Sequence, residues 1–197
     1  DRSLERLGDG LSLLRDAHVV VETAGKFAKH HRKDWRPAIE ALSARRDVRL
    51  ARALERDPGF LKRRALVTRL EARIDFLDWS RLRLADLLEG VEASHVRLDH
   101  AEQRAAFDLA PEHLHRWRRR VRRLRFQLEA IGKLSPEAMR KLSRKHPGRD
   151  PKALHRLGDA LGDRRDEQML ESALKRTKGL TGRPELIAQM HEGRPAA

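Results

Sequence analysis

The sequence predicts an all-α protein made of two antiparallel helical bundles, and three observations predict it. Apolar residues recur at helical spacing along almost the whole chain. Glycine and proline fall in the gaps between periodic stretches, and no run alternates convincingly with period two. The third observation is an internal repeat. LERLGDGLSLLRD at 4–16 aligns without gaps on LHRLGDALGDRRD at 154–166, with eight of thirteen positions identical at an offset of 150. The shared LGD and RD elements exceed what two amphipathic helices have in common through periodicity alone. The repeat predicts a pseudo-twofold: residues 1–90 as the remainder of a first bundle and 91–197 as a second.

The elements follow in order. Leu4, Leu7, Leu11, Leu14 and Val21 form one stripe of a helix from Leu4 to Lys29. Asp34 followed by Pro37 suits the start of a second helix, which runs to Arg56. Asp57-Pro58-Gly59 reads as a turn, and a further helix reaches Trp79. Ser80 can cap the next stretch, with Gly90 as its interruption and a subdomain boundary. Helices are then expected over 94–107, 112–133 and 136–145, the last opened by Ser135-Pro136-Glu137 and closed by His146-Pro147-Gly148. Asp150 before Pro151 is a cap and first-turn signal for a helix to Lys178. Gly179, Gly182 and Pro184 precede a last short helix. Trp35, Trp79 and Trp117 are expected as core anchors.

Composition limits function. The 197 residues carry 44 Lys and Arg against 30 Asp and Glu, a net charge of +14, which excludes an acidic ion-buffering protein and points to a polyanionic partner or surface. Of the basic residues, 34 are Arg, whose forked guanidinium meets phosphate oxygens two at a time. The absence of Cys excludes disulfides, thiolate nucleophiles and Cys-based metal sites. No run approaches 18 apolar residues and DRSLERLGDG has no apolar signal segment, so the chain reads as a soluble cytoplasmic protein. The charge is also local. Residues 1–100 have a net of +4 and residues 101–197 a net of +10, and 111–149 alone, with 13 basic and 3 acidic residues, accounts for the latter.

That charge concentrates in HLHRWRRRVRRLRFQLEAI, where seven of the ten residues 116–125 are Arg. Leu114, Trp117, Val121, Leu124 and Leu128 form the apolar stripe of this helix. His115, Arg118, Arg122 and Arg125 stand at i, i+3, i+7 and i+10 as a second face, flanked by Arg119 and Arg123. Cations stacked over about 15 Å of helix repel one another, a cost that a bound polyanion removes.

The pattern His115-x-x-Arg118-x-x-x-Arg122-Arg123-x-Arg125-Phe126, running on to Glu129, resembles the signature of the CHAD family, the conserved histidine α-helical domain. The LG and RD elements at 4–21 and 154–170 resemble its second hallmark. The resemblance covers most of the chain and is weak at 36–110 and beyond 180. It implies two bundles related by pseudo-twofold symmetry and non-enzymatic binding of inorganic polyphosphate along a basic groove. Carried over by position, it assigns His115, Arg118, Arg122, Arg123 and Arg125, with His155 and Arg156 before the second LG element. Arg6 and Arg15 are first-repeat counterparts on the repeat alignment, where they match Arg156 and Arg165. It also implies polyphosphate granules as a location and, in some members, a triphosphate-tunnel-type domain as a partner. Two departures stand out. The first-repeat copy of the His/Arg helix is expected ahead of Asp1, so the sequence is expected to begin partway through a repeat. His18 occupies a place where the family usually has an acid.

No cofactor, metal or catalytic site is predicted. His95, Asp99 and His100 lack ligand spacing, and Asp163, Asp166 and Glu167 are expected to pair with neighbouring Arg side chains. His30 and His31 could extend a basic rim or form a solvated helix end. Two other functions stay open: a nucleic-acid-binding helical protein, disfavoured by 4% aromatics, and a scaffold docking an acidic protein partner.

Overall fold

The computed structural model describes residues 2–29 and 32–192. Among them are eight α-helices and no strand: α1 (Arg2–Ala28), α2 (Arg32–Arg56), α3 (Leu61–Asp75), α4 (Leu84–Phe107), α5 (Pro111–Leu134), α6 (Pro136–Lys145), α7 (Pro151–Lys175) and α8 (Arg183–Glu192). The all-helical expectation therefore holds for the described residues. None of these helices is long and apolar enough to cross a membrane.

The predicted local signals are used as chemistry dictates. Ser135 Oγ accepts the Ala138 amide at 3.2 Å and Pro136 opens α6. Asp150 Oδ1 accepts the amides of Lys152 and Ala153, both at 2.9 Å, ahead of Pro151. These bonds satisfy first-turn amides that have no partner inside the helix. Asp57-Pro58-Gly59 does form a turn, in which Gly59 and Phe60 take the left-handed conformation at φ 59 and 57. Asp57 then accepts the Lys62 amide at 2.8 Å and the Arg63 side chain at 2.8 Å.

Three expectations need correction. Gly90 does not interrupt a helix: α4 runs through it, and Ser94 Oγ donates to the Gly90 carbonyl at 2.9 Å. α3 ends at Asp75, well short of Trp79, which lies in a 3₁₀ turn (Trp79–Arg81). Trp79 is no core anchor, being 54% exposed, because the chain leaves α3 before any partner helix covers it.

Contacts divide the chain into two units. One comprises residues up to Leu77 together with those from Asp166 on, so residues 166–192 pack with the first helices. Its core joins Val20, Ala24, Trp35 and Leu42 to Leu170, Leu174, Leu186 and Met190. Trp35 is fully buried, stacks on Phe27 at 5.3 Å and donates from Nε1 to Gln189 Oε1 at 2.8 Å. The other unit is Asp78–Arg165, with α4, α5, α6 and the first part of α7. Its core holds Val91, Leu98, Leu114, Val121, Leu124, Leu128, Leu142 and Leu154. The apolar stripe predicted for α5 is thus the buried one, with Trp117 partly buried against it.

Candidate functional site

Burying that stripe forces the arginines of α5 outward, and they leave in three directions. The centre of the exposed face is an open groove of about 600 Å³ lined by Glu112, His115, Arg116, Arg119, Arg120, Arg122, Arg123 and Phe126. Among the described residues no carboxylate pairs with Arg116, Arg119, Arg122 or Arg123. Side chains with no ion pair to break can meet an anion without first losing a partner.

On one flank, Arg118 and Arg125 turn toward α7. Arg118 packs over a glycine of α7: a Cβ built on Gly162 would come 2.8 Å from its Nη2, and its Nε lies 3.5 Å from the Gly158 carbonyl. Only glycine lets the guanidinium lie this close to the helix. Arg125 reaches His155, with Nη1 2.8 Å from Nδ1, and its guanidinium covers the Phe126 ring at 4.5 Å. Its Nε lies 3.5 Å from Glu129 Oε1 without a hydrogen bond, although it is buried. On the other flank Arg120 is half-buried. Burial, and then the charges of Arg123, Arg97, Arg119 and Arg116, push its pKa down, as expected where cations crowd without acids.

Of the residues singled out from the sequence, His115, Arg119, Arg122 and Arg123 are brought together in the groove. Arg118, Arg125 and His155 lie at its α7 edge. Arg156 is exposed on α7, where its charge helps hold the Asp150 carboxyl below the usual range, after the Ala153 and Lys152 amide bonds that do so against burial. Arg15 is exposed on α1, in the other unit, and the Arg6 side chain lies outside the described residues, as do His30 and His31. His18 sits 3.4 Å from Glu22, one turn on.

Sequence reasoning missed Arg116, Arg120 and Arg97. The signal was present for Arg116: the side of α5 opposite Leu114, Val121 and Leu124 is centred on Arg119, with Arg116 and Arg123 beside it. The stripe His115-Arg118-Arg122-Arg125 lies off that centre, toward α7.

A second polar cluster lies between α4 and the segment after α6. His95, 3% exposed, stacks on His146 with ring centroids 3.7 Å apart. His146 Nε2 meets Glu92 Oε2 at 3.0 Å, and Glu92 Oε1 pairs with Lys145 at 2.8 Å. Arg149 bridges Asp99 at 2.8 Å and Glu102 at 2.6 Å. Burial first, and then the His146 ring, push the His95 pKa down to about 4. This cluster fastens the α6–α7 connection to α4. Among the described residues no three His, Cys, Asp or Glu side chains are grouped to hold a metal ion.

The sequence model of the CHAD domain matches residues 1–175. No curated protein and no solved structure matches the chain.

Proposed function

The chain belongs to the CHAD domain family, and from that premise we propose that it binds inorganic polyphosphate along the exposed face of α5, without catalysing a reaction on it. CHAD domains are associated with polyphosphate binding in general, and act generally as binding domains. The observation that carries the reading here is the groove of about 600 Å³ in which Arg116, Arg119, Arg122 and Arg123 have no carboxylate partner among the described residues.

Polyphosphate offers closely spaced anionic oxygens and no bases. Forked, always-charged donors recognise it better than stacking surfaces do. From Glu112 to Phe126 the groove follows about 21 Å of helix, room for several phosphates in a row. Neutralising each phosphate releases counterions, so the binding is tight and salt-sensitive, as for nucleic acids. The pseudo-twofold implied by the repeat belongs to the same proposal, with its two halves taken as the units 1–77 with 166–197 and 78–165 in place of the expected 1–90 and 91–197. So do the contributions of Arg6, Arg15 and Arg156, a place at cytoplasmic polyphosphate granules and a triphosphate-tunnel-type partner domain.

The test is calorimetry of long-chain polyphosphate at two salt concentrations, with duplex DNA as competitor. Binding that DNA fails to displace, and whose salt slope falls by about one for each phosphate-contacting arginine replaced by Ala, supports the reading. Equal displacement by DNA overturns it in favour of general polyanion binding.

A further inference from the structure

His155 carries chemistry that binding of a phosphate chain does not explain. Its Nδ1 lies 2.8 Å from Arg125 Nη1 and 3.3 Å from Asp159 Oδ2. One ring nitrogen cannot serve both. A guanidinium only donates, so the shorter contact requires an unprotonated Nδ1 with the proton on Nε2. A carboxylate only accepts, so the Asp159 contact becomes a hydrogen bond only when Nδ1 carries a proton. The two partners therefore select opposite protonation states of the same atom.

The Arg125 end is equally conditional. Its Nε is buried without a hydrogen bond, 3.5 Å from Glu129, so the His155 contact is a principal restraint on where its guanidinium points. Arg125 lies one turn beyond Arg122, which lines the groove, and covers Phe126, which closes the groove's end.

We propose that His155 is a proton-operated latch on Arg125: neutral, it holds the guanidinium against α7, and protonated, it turns to Asp159 and releases Arg125 into the groove. A solvent proton added at Nδ1 sets N–H against N–H and cation against cation at the 2.8 Å contact. The same proton creates a charged hydrogen bond to Asp159, one turn along α7. Glu129 lies 3.5 Å from Arg125, and within one helical turn of the pair along the sequence stand Arg122 on α5 and Lys152 and Arg156 on α7. Glu129 attracts Arg125 in either state of His155. A bound phosphate chain favours the released guanidinium, so protonation and ligand binding favour each other. The role of the groove as the receiving site rests on the polyphosphate reading; the latch itself does not.

The test has two arms. In the ligand-free protein, ¹⁵N chemical shifts of His155 report its tautomer and protonation. The latch requires the proton on Nε2 at pH 8 and a change in the Arg125 side-chain signals that follows the protonation of His155. A proton on Nδ1 at pH 8, or an Arg125 signal indifferent to His155, overturns it. In the second arm, affinity for long-chain polyphosphate is measured at pH 8 and pH 5.5. The wild type should gain about five- to tenfold more on acidification than His155→Gln, whose amide can accept from Arg125 but cannot be protonated. Arg125→Ala should lose the same share, and the double variant no more than either. A low-pH gain that survives in Arg125→Ala would show His155 meeting phosphate directly and would overturn the latch. If no variant binds polyphosphate at either pH, the polyphosphate reading fails while the ligand-free arm still decides the latch.

Discussion

Arg63 in one unit and the arginines of α5 in the other use the same side chain in opposite ways. In the unit built on α1, α2 and α3, Arg45, Arg49 and Arg63 are tied into the fold. Arg63 joins Asp57, at 2.8 Å, to the Gly10 carbonyl, at 3.0 Å. Arg45 donates to Thr177 Oγ1 at 3.2 Å and Arg49 to the Leu13 carbonyl at 3.1 Å. In the unit built on α4 and α5, Arg149 is tied down in the same manner, but Arg116, Arg119, Arg122 and Arg123 share one groove with no carboxylate partner among the described residues. Positive charge is common to both units. Uncommitted positive charge gathered in one groove marks the candidate site, because there a polyanion relieves a mutual repulsion instead of competing with an existing ion pair.

The largest expected effect tests whether the first unit's role is structural. Trp35→Ala removes a fully buried ring, its stack on Phe27 and its bond to Gln189, and should cost about 3–5 kcal/mol of stability. Denaturant unfolding followed by circular dichroism measures it. A cost below about 1 kcal/mol would mean that this core is not the one holding residues 166–192 to the first helices.

Next comes the comparison itself. Arg119→Ala/Arg122→Ala/Arg123→Ala should weaken polyphosphate binding by about 100-fold or more at low salt while leaving the melting temperature unchanged or higher, since it removes mutual repulsion. Arg63→Ala should do the reverse: a lower melting temperature with binding intact. It strips the partner from Asp57, whose carboxyl is held below the usual range by the Lys62 amide and Arg63 against the opposing effect of burial. If both variants lowered stability and binding alike, the distinction between committed and uncommitted arginines would fall.

A pH titration sharpens the contrast within the second unit. His95 titrates at about 4 when folded and near 6.5 when unfolded, so between these values the unfolded chain binds the extra proton. The stability from a neutral, buried His95 is therefore fully present above pH 6.5 and is lost as pH falls toward 4. The loss amounts to about 2–3 kcal/mol at the acid end. Denaturant midpoints at pH 7 and pH 4.5 measure it, and His95→Leu should flatten the difference. Acid thus loosens the α4 fastening while, by the latch on Arg125, it strengthens binding at α5. The two effects are separable because His95 and His155 are different groups in different contacts.

How much of this was legible in the sequence depends on whether one helix or two decide the matter. Helix content, the buried stripe Leu114, Val121, Leu124 and Leu128, and the caps at Ser135 and Asp150 are properties of single segments, and periodicity and cap chemistry found them. Gly90 misled because a lone glycine costs a helix only about 1 kcal/mol, which the packing of Val91, Leu98 and their neighbours readily exceeds. Trp79 misled because a large ring predicts burial only if another element covers it. At the site, the presence of a basic face was readable, but its centre was not read correctly. Whether Arg118 and Arg125 belong to the groove or to α7 depends on Gly158, Gly162 and His155, which lie thirty or more residues further on.

Gly162→Ala is the finest test of that last distinction. The new methyl would stand 2.8 Å from Arg118 Nη2 and 3.3 Å from its Cζ and Nε, so something must move. The atoms in the way are the end of a flexible side chain, and the helix gains up to about 1 kcal/mol from Ala in place of Gly. Stability should therefore stay level or rise slightly, with Arg118 displaced from α7. Gly158→Ala is the control, since its methyl would meet Val121 Cγ1 at 3.5 Å, an ordinary contact, and leave Arg118 in place. If Arg118 is a packing residue, both variants bind polyphosphate within about threefold of wild type, because the groove of Arg116, Arg119, Arg122 and Arg123 is untouched. A tenfold or greater change confined to Gly162→Ala would instead make Arg118, held in place by that glycine, part of the binding face, and the groove would have to be redrawn to include the α7 edge.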